Sequence, residues 1–242
     1  MFNFDLHIHS CLSPCGSLEM SPGAIVRAAR AAGLDGVMIA DHNSARNAPA
    51  LAEACRREGL AGLFGMEVTT SEEVHCLAVF DALDQAAAMT ERVYAALPDR
   101  VNRPDVFGDQ VVVNADDEVE DLDPHLLGAP TRLSIRDVGE LVHGLGGLFV
   151  AAHIDRPVFS VTSQLGGLSG DEGFDAVELT RHAQGAAWRD RALGLPVLRS
   201  SDAHDLEGVG SAWTEAPLAE FSTRALRAAF EARALAWGSR DR

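Results

Sequence analysis

The chain has little positive charge and no long apolar segment. It has 20 basic against 36 acidic side chains, a formal net charge of −16, and the basic residues form no block. Binding of long nucleic acid through phosphate charge alone is therefore disfavoured. No run approaches the ~18 apolar residues of a membrane helix, and the first residues lack the basic and apolar regions of a secretion signal. We expect a cytoplasmic protein that does not enter a membrane.

Cysteine is scarce as well. The four cysteines, Cys11, Cys15, Cys55 and Cys76, are too few in 242 residues for a disulfide framework, so we expect reduced thiols. The chain also lacks internal repeats, low-complexity tracts and linkers rich in glycine, serine or proline. With 47% apolar residues it can bury one sizeable core, which predicts a single domain over residues 1–242.

Short aliphatic runs alternate with longer segments of helical periodicity. This pattern is typical of parallel strands joined by crossover helices, so it predicts an α/β fold. Two helix starts are marked by Ser21-Pro22 and by a capping box at Ser134–Asp137. Seven strands, nearly enough for a barrel, are predicted at Phe4–His9, Gly36–Ala40, Gly62–Val68, Val74–Phe80, Leu148–Ala152, Asp175–Leu179 and Val197–Ser201.

The alternation breaks between Pro98 and Arg132. This stretch contains Val111-Val112-Val113 and then an acidic run over residues 116–121, which predicts an inserted acidic hairpin or lid around residues 98–132. An acidic run is most often a solvated surface, and ion capture or partner docking is the alternative.

The first candidate metal ligands along the chain are two histidines. In Asp5-Leu6-His7-Ile8-His9, the two imidazoles lie two residues apart on a predicted strand, so they project from the same face. Asp5 stands one step behind them as an expected partner that fixes the tautomer of a ligating histidine. A lone H-x-H is weak evidence, and its meaning depends on what lies at the ends of the other strands.

Further histidines and carboxylates follow the other predicted strands. In a parallel barrel every strand reaches the same rim at its carboxyl end, so these side chains are expected to converge. Imidazoles and carboxylates suit zinc, manganese or iron, which predicts a site for several metal ions. His75 is the exception because it starts its strand, which indicates an antiparallel or short edge element. The additional residues are Asp41, His42, Glu67, His75, His153, Asp202 and His204.

This ordered series of motifs resembles the PHP (polymerase and histidinol phosphatase) family of metal-dependent phosphoesterases. The resemblance runs from Asp5 to about Trp213, and it implies a distorted seven-stranded (βα)7 TIM-like barrel with two or three divalent ions at its rim. Carried over by position, it implies that one ion is held by His7, His9, Glu67 and Asp202. Glu67 would bridge to a second ion held by His75 and His153, and His42 and His204 would contribute to a third.

The sequence departs from the family in one loop. Relatives often place a histidine or an aspartate a few residues after the H-x-H pair, and here Cys15 falls where such a ligand would sit. A thiolate is a good ligand for zinc or iron, and a structural cysteine is the alternative.

The implied reaction is hydrolysis of a phosphate ester by a hydroxide that bridges two ions. Glu67 is the expected bridge, Asp202 and His204 are expected to move a proton, and Asp41 is a further expected supporting residue. Arg156 and Arg181 are the candidates for phosphate contact, because guanidinium groups bind phosphate oxygens in pairs.

Three functions follow from this chemistry. The first is hydrolysis of a small phosphomonoester or nucleotide phosphate. The second is a 3′→5′ exonuclease or a cyclic-phosphate phosphodiesterase with the same metals, which the acidic composition disfavours for long nucleic acid. The third is a metal-stabilised interaction module without catalysis, whose expected sign, missing ligands, is not seen here.

Overall fold

The computed structural model describes residues 1–183, 185–188 and 190–240, and within them strands and helices alternate in a mixed α/β fold. The strands are β1 (Phe2–Ile8), β2 (Gly36–Ile39), β3 (Ala61–Thr69), β4 (His75–Phe80), β5 (Val111–Val113), β6 (Val119–Leu122), β7 (Leu148–Ala151), β8 (Ala176–Leu179), β9 (Val197–Arg199), β10 (Ala212–Ala216) and β11 (Ala236–Ser239). The helices are α1 (Pro22–Ala31), α2 (Ala48–Glu58), α3 (Leu83–Ala96), α4 (Pro104–Phe107), α5 (Ile135–Gly144), α6 (Val161–Leu165), α7 (Gly185–Trp188) and α8 (Thr223–Glu231).

Local signals set several helix boundaries as expected. The Ser21 side chain accepts the backbone N–H of Ala24 at the start of α1. Ser134 and Asp137 form the capping box of α5, and Gly59 ends α2 in the left-handed conformation with φ of 72°. These contacts satisfy backbone groups that a helix end leaves without partners.

The main sheet has nine strands rather than the seven predicted, in the order β11-β10-β1-β2-β3-β4-β7-β8-β9. All seven predicted strands are present, and the addition comes from β10 and β11. β10 pairs antiparallel with β1, and β11 pairs antiparallel with β10. Neither segment contains an aliphatic run like those of the central strands, so β10 depends on its pairing with β1 and β11 on its pairing with β10.

The two ends of this sheet meet, which makes it a nearly closed barrel. No backbone ladder joins β9 to β10 among the described residues, but Arg199 N donates to Thr214 Oγ1 over 2.8 Å and Thr214 Oγ1 donates to Arg199 O over 2.9 Å. Trp237 Nε1 donates to Val197 O over 2.8 Å. Side-chain hydrogen bonds therefore close the sheet where strand pairing stops.

β4 runs antiparallel to both of its neighbours, β3 and β7. The expected antiparallel direction is confirmed, whereas the alternative of a short edge strand is wrong because β4 lies inside the sheet. Reversal of this strand brings its first residue, His75, to the rim where the parallel strands end.

Three apolar clusters hold the helices on the sheet. Ile8, Val37 and Ile39 pack with residues of α1 and α2. A second cluster joins β3, β4 and β7 to α3 and α5, and a third joins strand residues such as Leu77 and Val150 to α8. Every helix in the described ranges is too short or too polar to span a bilayer.

The stretch around residues 98–132 contains the expected hairpin, formed by β5 and β6. Val112 and Leu127 pack against Leu12 of the β1–α1 loop, and Asn47 Nδ2 donates to Val111 O over 3.1 Å. The acidic run is exposed, and three of its carboxylates pair with arginines of the main fold: Arg27 with Asp117, Arg46 with Asp121 and Arg57 with Asp116.

Candidate metal centre

The histidines and carboxylates singled out above gather at one rim of the barrel. Parallel pairing continues past the strands as bridges between Ile8 and Ala203 and between His42 and Glu67, which align the loops that hold these side chains. Asp5 and His7 are on β1, Glu67 is on β3 and His75 begins β4, whereas the other members follow β1, β2, β7 and β9.

One set of ligand atoms surrounds a first ion position. His7 Nε2 lies 3.2 Å from His9 Nε2, 3.4 Å from Glu67 Oε1 and 3.5 Å from Asp202 Oδ1. His9 Nε2 lies 3.3 Å from the same Asp202 oxygen. Two imidazole nitrogens and two carboxylate oxygens thus converge, a donor set suited to a divalent transition metal.

Glu67 extends this set to a second position. Its Oε1 lies 2.9 Å from His75 Nδ1 and 2.9 Å from His153 Nε2, and its Oε2 lies 3.0 Å from His42 Nδ1. Glu67 is only 1% exposed and both of its oxygens face imidazole nitrogens. A carboxylate in this position can bridge two ions.

The bonding of these atoms fits bound ions better than an internal hydrogen-bond network. His42 Nδ1, His75 Nδ1, Glu67 Oε2 and Asp202 Oδ1 are buried and have no hydrogen-bond partner, although several lie about 3 Å from one another. Burial of polar atoms without partners is costly. Metal coordination would satisfy all four atoms at once.

Glu178 supports the first position and was not anticipated from the sequence. Its Oε2 lies 2.9 Å from His7 Nδ1 and accepts the backbone N–H of His153 over 3.0 Å. This contact holds the Nδ1–H tautomer of His7, so that Nε2 can bind an ion. A single carboxylate in the buried strand β8 was the available signal.

The sequence predicted that Asp5 would make this tautomer-fixing contact. In the structure Asp5 makes other contacts. Asp5 Oδ1 accepts the backbone N–H groups of His7 over 3.2 Å and of Ser201 over 3.1 Å. Asp5 therefore fixes the backbone on both sides of the first ion position rather than an imidazole ring. Burial raises its pKa to about 7.

Asp41 supports the centre through a serine. His9 Nδ1 lies 2.9 Å from Ser13 Oγ, which donates to Asp41 Oδ1 over 2.8 Å. Asp41 also accepts the backbone N–H and the hydroxyl of Ser10. Asp41 thus orients His9 without touching it.

Electrostatics divide the histidines into two groups. Burial lowers the pKa of His9 to about 3 and of His75 to about 4, so both are neutral at neutral pH. For His7 and His42 burial is outweighed by carboxylates. Glu178 and Glu67 raise the pKa of His7 well above its usual range, and Glu67 raises that of His42 to about 10.

Cys15 and His204 stand at the outer side of the same centre. The ligand atoms of His9, Cys15 and His42 lie within 4.8 Å of one another. His204 Nδ1 donates to Asp202 O over 2.8 Å. Burial raises the pKa of Cys15, but hydrogen bonds from His204 and His42 more than offset it and lower the value to about 7.

A cleft of about 450 Å³ opens beside Asp202 and His204 and is lined by Arg156, Arg181 and His182. Arg156 Nη1 donates to Asp202 Oδ2 over 2.8 Å, so the guanidinium adjoins the first ion position. Arg181 Nε donates to His182 Nε2 over 3.1 Å.

Other titratable residues of interest lie away from the centre. Arg46 pairs with Asp121 and Asp123 of the inserted hairpin, and His143 contacts Asp175. His125 pairs with Asp123. The remaining cysteines, Cys11, Cys55 and Cys76, are buried and free.

Known proteins share this domain and this fold. The PHP domain model matches residues 5–143, and a model described as PHP-associated matches residues 185–235. No curated protein matches the sequence.

Several solved structures resemble the chain, among them the following three. Endonuclease Q from Pyrococcus furiosus, a lesion-specific endonuclease, has a TM-score of 0.71 at 20% identity, and an endonuclease Q complex with a 27-mer duplex carrying an abasic lesion at the active site has 0.70 at 21%. In both, 96% of this chain aligns but only 56% of the other, so the chain spans just over half of their length. A candidate metal-dependent phosphoesterase from Bifidobacterium adolescentis has a TM-score of 0.58 at 24% identity, with 96% of each chain covered.

The matched domain model covers more than half of the 242 residues and contains most of the clustered side chains. The solved structures agree in fold. The chain therefore belongs to the PHP family of metal-dependent phosphoesterases, which are hydrolytic enzymes.

Proposed function

We propose that this chain hydrolyses small phosphate esters, a phosphomonoester or a nucleotide phosphate, at a centre of two or three zinc, manganese or iron ions. The observation that supports this most is Glu67, whose two oxygens lie 2.9 to 3.0 Å from three imidazole nitrogens. In this proposal residues 1–242 form one domain, and the ions are held by His7, His9, His42, Glu67, His75, His153, Asp202 and His204, with Cys15 considered below.

The proposed roles follow from the contacts of each side chain. Bound divalent ions would lower the pKa of a water and stabilise the charge of the leaving oxygen. Arg156 and Arg181 bind the phosphate, since both line the cleft beside Asp202. His204 donates its Nδ1–H to a backbone carbonyl, so Nε2 is the atom that would face an ion or, in the proposed proton-transfer role, the substrate. Asp202 orients Arg156 through one oxygen and faces the first ion position with the other.

The dimensions and charge of the molecule favour a small substrate. A cleft of about 450 Å³ suits a small organic phosphate. The net charge of −16 opposes the approach of a long polyanion. Substrate charge would then be balanced locally by the ions and the two cleft arginines.

DNA with a lesion is a second candidate substrate. It is favoured by the alignment of 96% of this chain with an endonuclease Q whose complex holds an abasic duplex at its active site. A 3′→5′ exonuclease or cyclic-phosphate phosphodiesterase would use the same residues. The acidic composition makes these candidates secondary for long nucleic acid.

One paired measurement tests the proposal. Elemental analysis of purified protein is combined with hydrolysis of phosphomonoesters, nucleotides, a cyclic phosphate and an abasic duplex, with Mn²⁺, Zn²⁺ or Fe²⁺ supplied. We expect two or three ions per chain and metal-dependent phosphate release from a small ester. Cleavage of the duplex alone would move the assignment to a nuclease, and absence of metal would refute it. His143→Asn, outside the centre, is the control variant.

A further inference from the structure

We propose that the Cys15 thiolate is a metal ligand, and that it makes the third ion position prefer zinc or another thiophilic ion over manganese. This inference rests on the proposed function, because it concerns the same centre.

Cys15 lies close to two other candidate ligands. Its sulfur lies within 4.8 Å of ligand nitrogens of His9 and His42, and it is hydrogen-bonded to His42 and His204. His9 Nε2 faces the first position, 3.3 Å from Asp202 Oδ1. An ion at this place would have Cys15, His9 and His42 as its nearest protein donors.

Unpartnered atoms beside this group indicate that a ligand belongs there. Glu67 Oε2 is buried without a hydrogen-bond partner, on a side chain that is 1% exposed, and it lies 3.0 Å from the equally unpartnered His42 Nδ1. A cation bound next to Cys15 would neutralise the carboxylate and the thiolate together.

The loop that presents Cys15 is held in place on both sides. Gly16 N donates to Ser13 O over 3.0 Å, and Ser17 N donates to His204 O over 2.9 Å. A Cβ on Gly16 would stand 2.3 Å from Ser10 O, so a larger residue would displace the turn. Cys15 is thus held at a constant position relative to His204.

Ligand chemistry then determines the preferred ion. Thiolates favour zinc, iron and cobalt, whereas carboxylates and water favour manganese and magnesium. Replacement of an oxygen or nitrogen donor by sulfur at one position shifts that preference without changing the other two ion positions.

Cobalt substitution tests this directly, because a thiolate bound to Co²⁺ gives a charge-transfer band in the near ultraviolet. Wild type is compared with Cys15→Ser, with Cys15→Asp, which retains a donor, and with Cys55→Ala, which removes a buried cysteine elsewhere. We expect the band in wild type and in Cys55→Ala and its loss in Cys15→Ser. We also expect Cys15→Ser to bind one zinc ion fewer per chain.

A competition between zinc and manganese completes the test. Cys15→Asp is expected to shift the preference of one ion position toward manganese by about tenfold or more. Absence of the band from fully loaded wild type, or its persistence in Cys15→Ser, would overturn the inference. If wild type binds two ions and hydrolyses esters without the band, only this inference fails. If it binds no ion, the proposed function fails as well.

Discussion

Substitution of Glu178 is the sharpest test of how the first ion position is built. Glu178 is 1% exposed, and its Oε2 contacts both His7 Nδ1, at 2.9 Å, and the backbone N–H of His153, at 3.0 Å. Glu178→Gln keeps the shape and an acceptor oxygen but removes the charge. Loss of that charge weakens the polarisation of His7, so its Nε2 becomes a poorer metal ligand.

The expected loss of metal affinity follows from the place of Glu178, which contacts a candidate ligand, His7, rather than an ion. Partners of ligating histidines are worth about 10- to 100-fold in metal affinity, which corresponds to about 1.4 to 2.7 kcal/mol. We expect Glu178→Gln near the lower end. Glu178→Ala also leaves the His153 N–H without a partner, which adds about 1 to 3 kcal/mol of lost stability and takes the loss of affinity to the upper end.

The assay is competition for zinc against a chelator of known affinity, with thermal unfolding recorded for each variant. Glu140→Gln is the matched control, because that side chain is 74% exposed on α5. If Glu178→Gln binds zinc as tightly as wild type, Glu178 does not position His7 and the reasoning is refuted.

Three further predictions concern the same centre. Glu67→Gln should lose at least one ion per chain together with phosphate release, because the carboxylate faces both positions. Metal binding to stripped protein at neutral pH should release at least two protons, since the raised pKa values of His7 and His42 keep both protonated until an ion displaces the proton. Metal affinity should therefore rise with pH, and calorimetry in two buffers counts the protons. Arg156→Ala should raise KM about tenfold with a smaller change in kcat, through loss of a charged phosphate contact.

Each of these has a result that would contradict it. If Glu67→Gln retains every ion, Glu67 is not a ligand at either position. A heat of metal binding that does not depend on the buffer would mean that no proton leaves His7 or His42. For Arg156→Ala, the control is Arg224→Ala, an exposed arginine on α8, and equal KM values in the two variants would exclude Arg156 from phosphate binding.

Much of the centre could be read along the chain because its members follow local patterns. Residues two apart on a strand share a face, so His7 and His9 were expected together, and side chains after parallel strands were expected at one rim. His75 required one more step, the reversal of β4, which the short link from β3 already indicated.

The contacts of Glu178 and Asp5 could not be predicted from local sequence patterns. β8 and β1 are not neighbours in the sheet, so the contact between Glu178 and His7 forms across the barrel, at a separation of 171 residues. No periodicity within β8 specifies a partner on β1. Asp5 is adjacent to the histidines in sequence, but its carboxylate accepts the backbone N–H groups of His7 on β1 and of Ser201 after β9.

The amino-acid sequence by itself determined the α/β alternation, the seven central strands and the residue types of the metal centre, because these depend on short-range periodicity and on the chemistry of individual side chains. Only the tertiary structure decided that β10 and β11 enlarge the sheet, that Glu178 orients His7 and that Cys15 lies close to both His9 and His42. Those features depend on how the barrel closes. Closure brings together side chains far apart in the chain, and their distances follow from the packing of the whole sheet rather than from any local pattern.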